Sequence, residues 1–163
     1  MRILIMRHAD AGDRDPIRIP DDTLRPLTPK GRKTQTRVCQ AMAKLGIVPT
    51  TIFASPWMRA WQTAEIAGRI LLPDGPEPIE CPHLAEDPRV NKLALAIGSQ
   101  PPSAVVALVG HEPWLGELAS LLLTGDAERV SLDFPKSGVV ELEADSFKAG
   151  GAVLRFFLWP KLI

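Results

Sequence analysis

Two apolar runs decide what this chain can fold into, because both are too short for helices and neither alternates with polar residues. Arg2 to Met6 and Ala104 to Val109 therefore read as strands covered on both faces, and such strands need helices above and below their sheet. Each run breaks off into polar residues: Arg7 and His8 follow the first, Gly110 and His111 the second. The first is expected to be a central parallel strand.

The remaining elements fit around that sheet. Thr51 to Ala54 is a third short apolar strand, and Pro78 to Cys81 a fourth. Thr28-Pro29 gives an N-cap and a first helical position, Val38, Met42 and Leu45 follow at helical spacing, and Gly46 stops the run. Ser55-Pro56 reads the same way for a helix carrying Trp57, Ala60, Trp61, Ala64 and Ala67 on one face, which puts Arg59 about one turn into it. Val90, Leu93 and Ile97 predict a short helix, and Leu115, Leu118, Ala119 and Leu122 another. Val140, Leu142 and Ala144 alternate with glutamates, and Ala152 to Trp159 follows a Gly-Gly turn, which predicts a hairpin. Strands alternating with helices and ending in a hairpin make an α/β sheet of mixed direction. Ala11 to Leu27 has no period, is long for a structureless connection, and is expected to be a substrate loop.

A length of 163 residues and 45% hydrophobic content fit one domain over 1–163 with one site. The 19 basic and 19 acidic residues cancel, so the overall field gives no reason to expect nucleic acid or a membrane as partner. Cys39 and Cys81 have neither metal nor redox spacing, and Cys39 lies in a helical pattern where a buried, inert thiol is expected. The opening apolar run is too short for a signal segment or a membrane span, which makes the cytoplasm the expected location. No metal and no cofactor is expected.

Chemistry converges if the strands share a sheet, since the carboxyl ends of parallel strands line one crevice. Arg7 and His8, Ser55 to Arg59, and Gly110-His111 would then meet. Arg7 and Arg59 offer planar forks suited to phosphoryl oxygens, and a helix N-terminus adds its dipole. A neutral imidazole, with an unperturbed pKa of about 6.5, is a competent nucleophile toward phosphorus near neutral pH. A second, protonated imidazole would stabilise charge on the transferring group. Taken singly, each of these residues has an ordinary reading as a boundary histidine or an ion-pair arginine. The constellation carries the inference.

Arg7-His8-Ala9-Asp10-Ala11, Leu24-Arg25-Pro26-Leu27-Thr28-Pro29-Lys30-Gly31, Ser55-Pro56-Trp57-Met58-Arg59-Ala60-Trp61-Gln62-Thr63-Ala64 and Val109-Gly110-His111-Glu112-Pro113 together resemble the histidine phosphatase superfamily. The short chain and the Arg-Pro-Leu-Thr segment resemble its SixA-type phosphohistidine phosphatases, whose branch shares alanine where the superfamily usually has glycine after Arg-His. The resemblance implies a three-layer α/β/α fold with a mostly parallel central sheet, as in phosphoglycerate mutase relatives. It further implies that His8 becomes phosphorylated, that Arg7, Arg59 and His111 hold the phosphoryl group, and that water hydrolyses the intermediate.

Leu84-Ala85-Glu86 resembles the segment that supplies a general acid in phosphoglycerate mutase relatives, which makes Glu86 the candidate acid and Asp87 its alternative. A solvated loop carboxylate is the other reading of Glu86. Arg25 and Arg18 are placed to reach phosphate or a partner protein, or to pair with Asp21 or Asp22. Three functions follow: a phosphohistidine phosphatase in signalling, acting on a phosphorylated protein; a phosphatase of small phosphate esters; and a binding module for phosphorylated ligands without turnover. The first is expected, with His8 neutral and His111 protonated in the working enzyme.

Overall fold

A computed structural model describes residues 1–85, 90–98 and 100–163. Six strands form one sheet in the order β3-β2-β4-β1-β5-β6. β1 spans Arg2–Arg7, β2 Thr51–Ala54, β3 Ile79–Glu80, β4 Val105–Gly110, β5 Val139–Glu143 and β6 Val153–Leu158. β1 to β4 are parallel, whereas β5 runs antiparallel to β1 and pairs with β6 as the expected hairpin. The expectation for β1 thus holds on one edge only: Arg2 to Arg7 face Val105 to Gly110 in parallel, and Arg2 to Met6 face Glu143 to Val139 in the opposite sense.

Helices cover both faces, which is why β1 and β4 lack polar alternation. α1 (Pro29–Lys44) and α2 (Met58–Leu71) pack on the side where Leu4, Met6, Ile52, Ala107 and Val109 point. α3 (Val90–Ile97) and α4 (Trp114–Thr124) cover the opposite side, against Ile3, Ile5, Phe53, Val106 and Leu108. The three layers match the α/β/α arrangement implied by the resemblance. None of these helices is long and apolar enough to cross a membrane.

The ends of α1 follow its sequence signals. The Thr28 hydroxyl accepts from the Gly31 amide at 2.9 Å, Pro29 opens the first turn, and Gly46 leaves it at φ 70°. Gly31 is required for another reason: a Cβ there would lie 2.1 Å from the Asp10 carbonyl oxygen, so only glycine lets the helix touch the segment leaving β1.

α2 departs from expectation. It begins at Met58 with Trp57 as its cap, and no side chain caps it. Ser55 and Pro56 stay outside the helix, and the Ser55 hydroxyl serves a histidine instead. Arg59 is therefore the second helical residue, closer to the free amides of the N-terminus than its predicted place one turn in.

Candidate active site

The three strand ends meet at one level because the register aligns Arg7 with Gly110 and Ala54 with Val109. Past the last paired residues, the His8 amide donates to the Gly110 carbonyl at 3.0 Å and the Ser55 amide to the Val109 carbonyl at 2.9 Å. His8, Ser55 and His111 are consequently set by the backbone ladder before any side-chain contact forms. On the other side of β1, Ser137 donates its amide to the His8 carbonyl at 3.2 Å from a left-handed conformation with φ 63°. That conformation is uncommon for a non-glycine residue, and here it hands an amide to the residue after β1.

The two imidazoles face each other with ring centroids 5.1 Å apart, and both are buried. His8 Nδ1 lies 2.7 Å from the Ala9 carbonyl oxygen. A carbonyl only accepts, so Nδ1 carries the ring proton and Nε2 keeps its lone pair. Burial lowers the His8 pKa to about 4, the Ala9 carbonyl opposes that shift, and Arg59, Arg7 and Arg25 reinforce it. The ring is thus neutral at neutral pH, with the Nε2 lone pair unprotonated.

In the free protein His111 is not in the protonated state expected of the working enzyme. Burial, then His8, Arg59 and Arg7, push its pKa down to about 2, so the ring is neutral in the free protein. Sequence spacing carries no information on how completely the ring is desolvated, and a cation between two arginines gains nothing until an anion joins them. The neutral ring still offers one donor. Its Nε2 sits 2.8 Å from the Ser55 hydroxyl, and a hydroxyl donating there leaves the proton on Nδ1, which has no partner among the described residues. Trp57 packs on the His111 ring at 4.5 Å, and its own ring supports the Arg59 guanidinium at 4.6 Å.

Both arginines are held from behind. Arg7 donates from Nη1 to the Phe134 carbonyl at 2.5 Å, and Arg59 donates from Nη1 to the Asp22 carbonyl at 2.8 Å, with the Asp22 carboxylate at 3.2 Å. Arg7 Nε and Arg59 Nε are buried and have no acceptor among the described residues. With His111 Nδ1, whose ring lies within the field of both arginines, they make three unmatched buried nitrogens, and buried donors left without acceptors are rare enough to need an explanation. A ligand with several oxygens supplies it. Arg25 approaches from the loop: its Nε donates to Asp22 at 2.8 Å and its Nη1 to the Gly12 carbonyl at 2.6 Å.

The geometry therefore gathers His8, Arg7, Arg59 and His111, with Arg25 one ion pair removed. Glu86 and Asp87 lie outside the described residues. Arg18 pairs with Asp15 at 3.6 Å instead of Asp21 or Asp22. Sequence reasoning missed the roles of two residues. Ser55 was read as a helix cap, although a hydroxyl between a strand and a proline is free to serve a neighbouring strand. Asp22 was read only as an ion-pair partner, and its link to Arg59 across the fold leaves no local signal. Glu112, next to His111 in the chain, accepts from the Gly116 amide at 3.2 Å, and burial raises its carboxyl to about 7 against the opposing pull of Arg7. No group of three or more His, Cys, Asp or Glu among the described residues is arranged to hold a metal ion.

The sequence model of the histidine phosphatase superfamily (branch 1) matches residues 3–87. An uncharacterised protein of Picosynechococcus is 34% identical over 146 residues, covering 88% of this chain and 86% of that protein. Among solved structures, the protein histidine phosphatase SixA complexed with tungstate superimposes with TM-score 0.83 and 24% identity, covering 99% of each chain. A mycobacterial glucosyl-3-phosphoglycerate phosphatase complexed with VO3 gives TM-score 0.68 at 15% identity, covering 97% of this chain and 98% of the other. At these identities the two structures share the fold.

Proposed function

Because this chain belongs to the histidine phosphatase superfamily, we propose that it is a metal-independent phosphohydrolase that removes phosphate from phosphohistidine in a protein through a covalent intermediate on His8. The observation that carries the reading is the 2.7 Å contact from His8 Nδ1 to the Ala9 carbonyl, which fixes the tautomer with Nε2 free to attack. In the first step Nε2 forms a bond to phosphorus as the substrate's P–N bond breaks, and the departing imidazole takes up a proton from solvent. Arg7, Arg59 and His111 hold the equatorial oxygens. In the second step water attacks phosphorus, the bond to His8 breaks, and inorganic phosphate leaves with His8 restored.

An imidazole that is protonated on nitrogen leaves more easily than an alkoxide, so the first step asks less of a protein acid when the substrate is phosphohistidine. The reading places the activity in the cytoplasm, in phosphotransfer signalling. A second reading, hydrolysis of small phosphate esters, is favoured by the fold shared with a sugar-phosphoglycerate phosphatase. It assigns Glu86 as general acid on the strength of the Leu84-Ala85-Glu86 segment.

The test is turnover of a phosphohistidine-bearing protein beside a panel of phosphate monoesters, using wild type, His8→Ala and Glu86→Gln without added metal. Preference for phosphohistidine, an inert His8→Ala and an active Glu86→Gln support the first reading. Preference for monoesters with a crippled Glu86→Gln transfers the assignment to the second. Phosphate binding with no turnover of any substrate would leave a binding module.

A further inference from the structure

Every substrate of a phosphohydrolase presents the same phosphoryl group, so discrimination has to come from what surrounds the leaving group. We propose that Asp22 is the specificity-determining residue of this site, its carboxylate disfavouring leaving groups that carry negative charge and favouring neutral or cationic ones such as a protonated imidazole. The proposal rests on the phosphohydrolase reading above but not on phosphohistidine being the substrate.

The geometry puts that carboxylate beside the cradle. Asp22 Oδ2 lies 3.2 Å from Arg59 Nη1, and its Oδ1 accepts from Arg25 Nε at 2.8 Å. Arg59 keeps Nε free for the phosphoryl group, so one guanidinium separates the carboxylate from a bound phosphate, a span of about 5 Å. The Asp22 side chain is 24% exposed, so its charge is presented to an entering molecule as well as to the arginines. Hydrogen bonding from Arg25 holds the carboxyl below the usual range, so it is ionised at neutral pH. His111 already feels that charge.

The local balance gives the carboxylate its selectivity. Arg7, Arg25 and Arg59 carry three positive charges and Arg14 acts on Asp22 from further out, so the one carboxylate offsets part of a positive field that would otherwise draw in a second anion beside the phosphoryl group. A leaving group bearing its own carboxylate would meet Asp22 at short range, whereas a cationic one would be drawn to it. At the effective dielectric of a partly exposed site, one such charge contact changes binding by about tenfold or more.

Three monoesters with the same phosphoryl group but different charge on the leaving group test this: choline phosphate, glycerol phosphate and 3-phosphoglycerate. In wild type kcat/KM should fall along that series. In Asp22→Asn the ratio of the first to the last should drop about tenfold, mostly through KM, and Asp22→Glu should restore it. An equal change for all three substrates would mean that Asp22 only props Arg59, and would overturn the proposal. Should Asp22→Asn fail to fold, wild type alone decides: the ratio should shrink as ionic strength rises, and a salt-independent ratio is the overturning result. A wild type that shows the charge series but ignores phosphohistidine would remove the phosphohistidine assignment and leave this inference standing. A wild type inert on every phosphate would remove both.

Discussion

The strand-end cradle and the segment from Ala11 to Leu27 meet at the Asp22–Arg59 contact, yet they are held in place by different physics. His8 and Ser55 are fixed by backbone hydrogen bonds to β4, and Arg7 by its amide on the Gly138 carbonyl at 3.1 Å. The loop has one short 3-10 turn, Asp22–Leu24, and is secured by side-chain links: Asp22 to Arg25 and Arg59, and Arg18 to Asp15. Backbone ladders in a buried sheet are cooperative, whereas an exposed pair such as Arg18–Asp15 contributes little and is screened by salt, and the more buried Asp22–Arg59 pair depends on both partners staying in place. The division assigns the invariant part of the chemistry to the sheet and the adjustable part to the loop.

The largest effect should come from the cradle. His8→Ala is expected to lower turnover by about ten thousandfold or more while circular dichroism remains native. Residual activity near wild type would break the comparison at its root. Next, Arg59→Ala should cost about a hundred- to thousandfold in kcat, against about tenfold for Arg25→Ala, measured on one monoester. Equal losses would mean that the loop arginine belongs to the cradle.

The pH dependence sharpens the same contrast. His8 is active when neutral and its pKa is about 4, so kcat/KM should not fall as pH drops through 6.5 and should fall only as it approaches 4. Over that interval the unfolded chain takes up a proton at this residue and the folded one does not. Folding stability therefore declines as pH falls from 6.5 toward 4, by on the order of 3 kcal/mol from His8. Urea titrations of His8→Gln should show a flatter decline, and an unchanged slope would contradict the neutral, buried ring.

At the junction of the two regions, Gly31→Ala drives a methyl into the Asp10 carbonyl and should cost about 1–3 kcal/mol in a urea titration. The smallest effect is expected far out on the loop: Arg18→Ala removes an exposed pair and should leave both the urea midpoint and kcat unchanged.

Much of the cradle was legible because it is written in short, local patterns. An apolar run followed at once by Arg7-His8, and another followed by Gly110-His111, each predicted a buried strand and a polar end, and parallel pairing brought the ends together. What stayed hidden needed distance or solvent. The Asp22–Arg59 contact joins residues from a loop and a helix that share no motif. The charge state of His111 depends on burial created by β4, Trp57 and the opposing histidine. The start of α2 was displaced because the Ser-Pro cap signal was genuine in type but Ser55 had a stronger use across the sheet. The antiparallel edge of β1 was obscured as well, since a strand buried on both faces reads alike whichever way its neighbour runs.

The order of the strands also sets when the pocket comes into being. β1 precedes both strands that flank it, with β2 and β3 made in between before β4 and β5. During synthesis Ile3, Leu4 and Ile5 emerge with no strand to pair with until more than half the chain has followed, and pairings so distant in sequence form slowly. His8 is thus made well before the strands that place it. A nascent chain released before β4 would expose an apolar strand edge prone to aggregation and would carry no catalytic capacity.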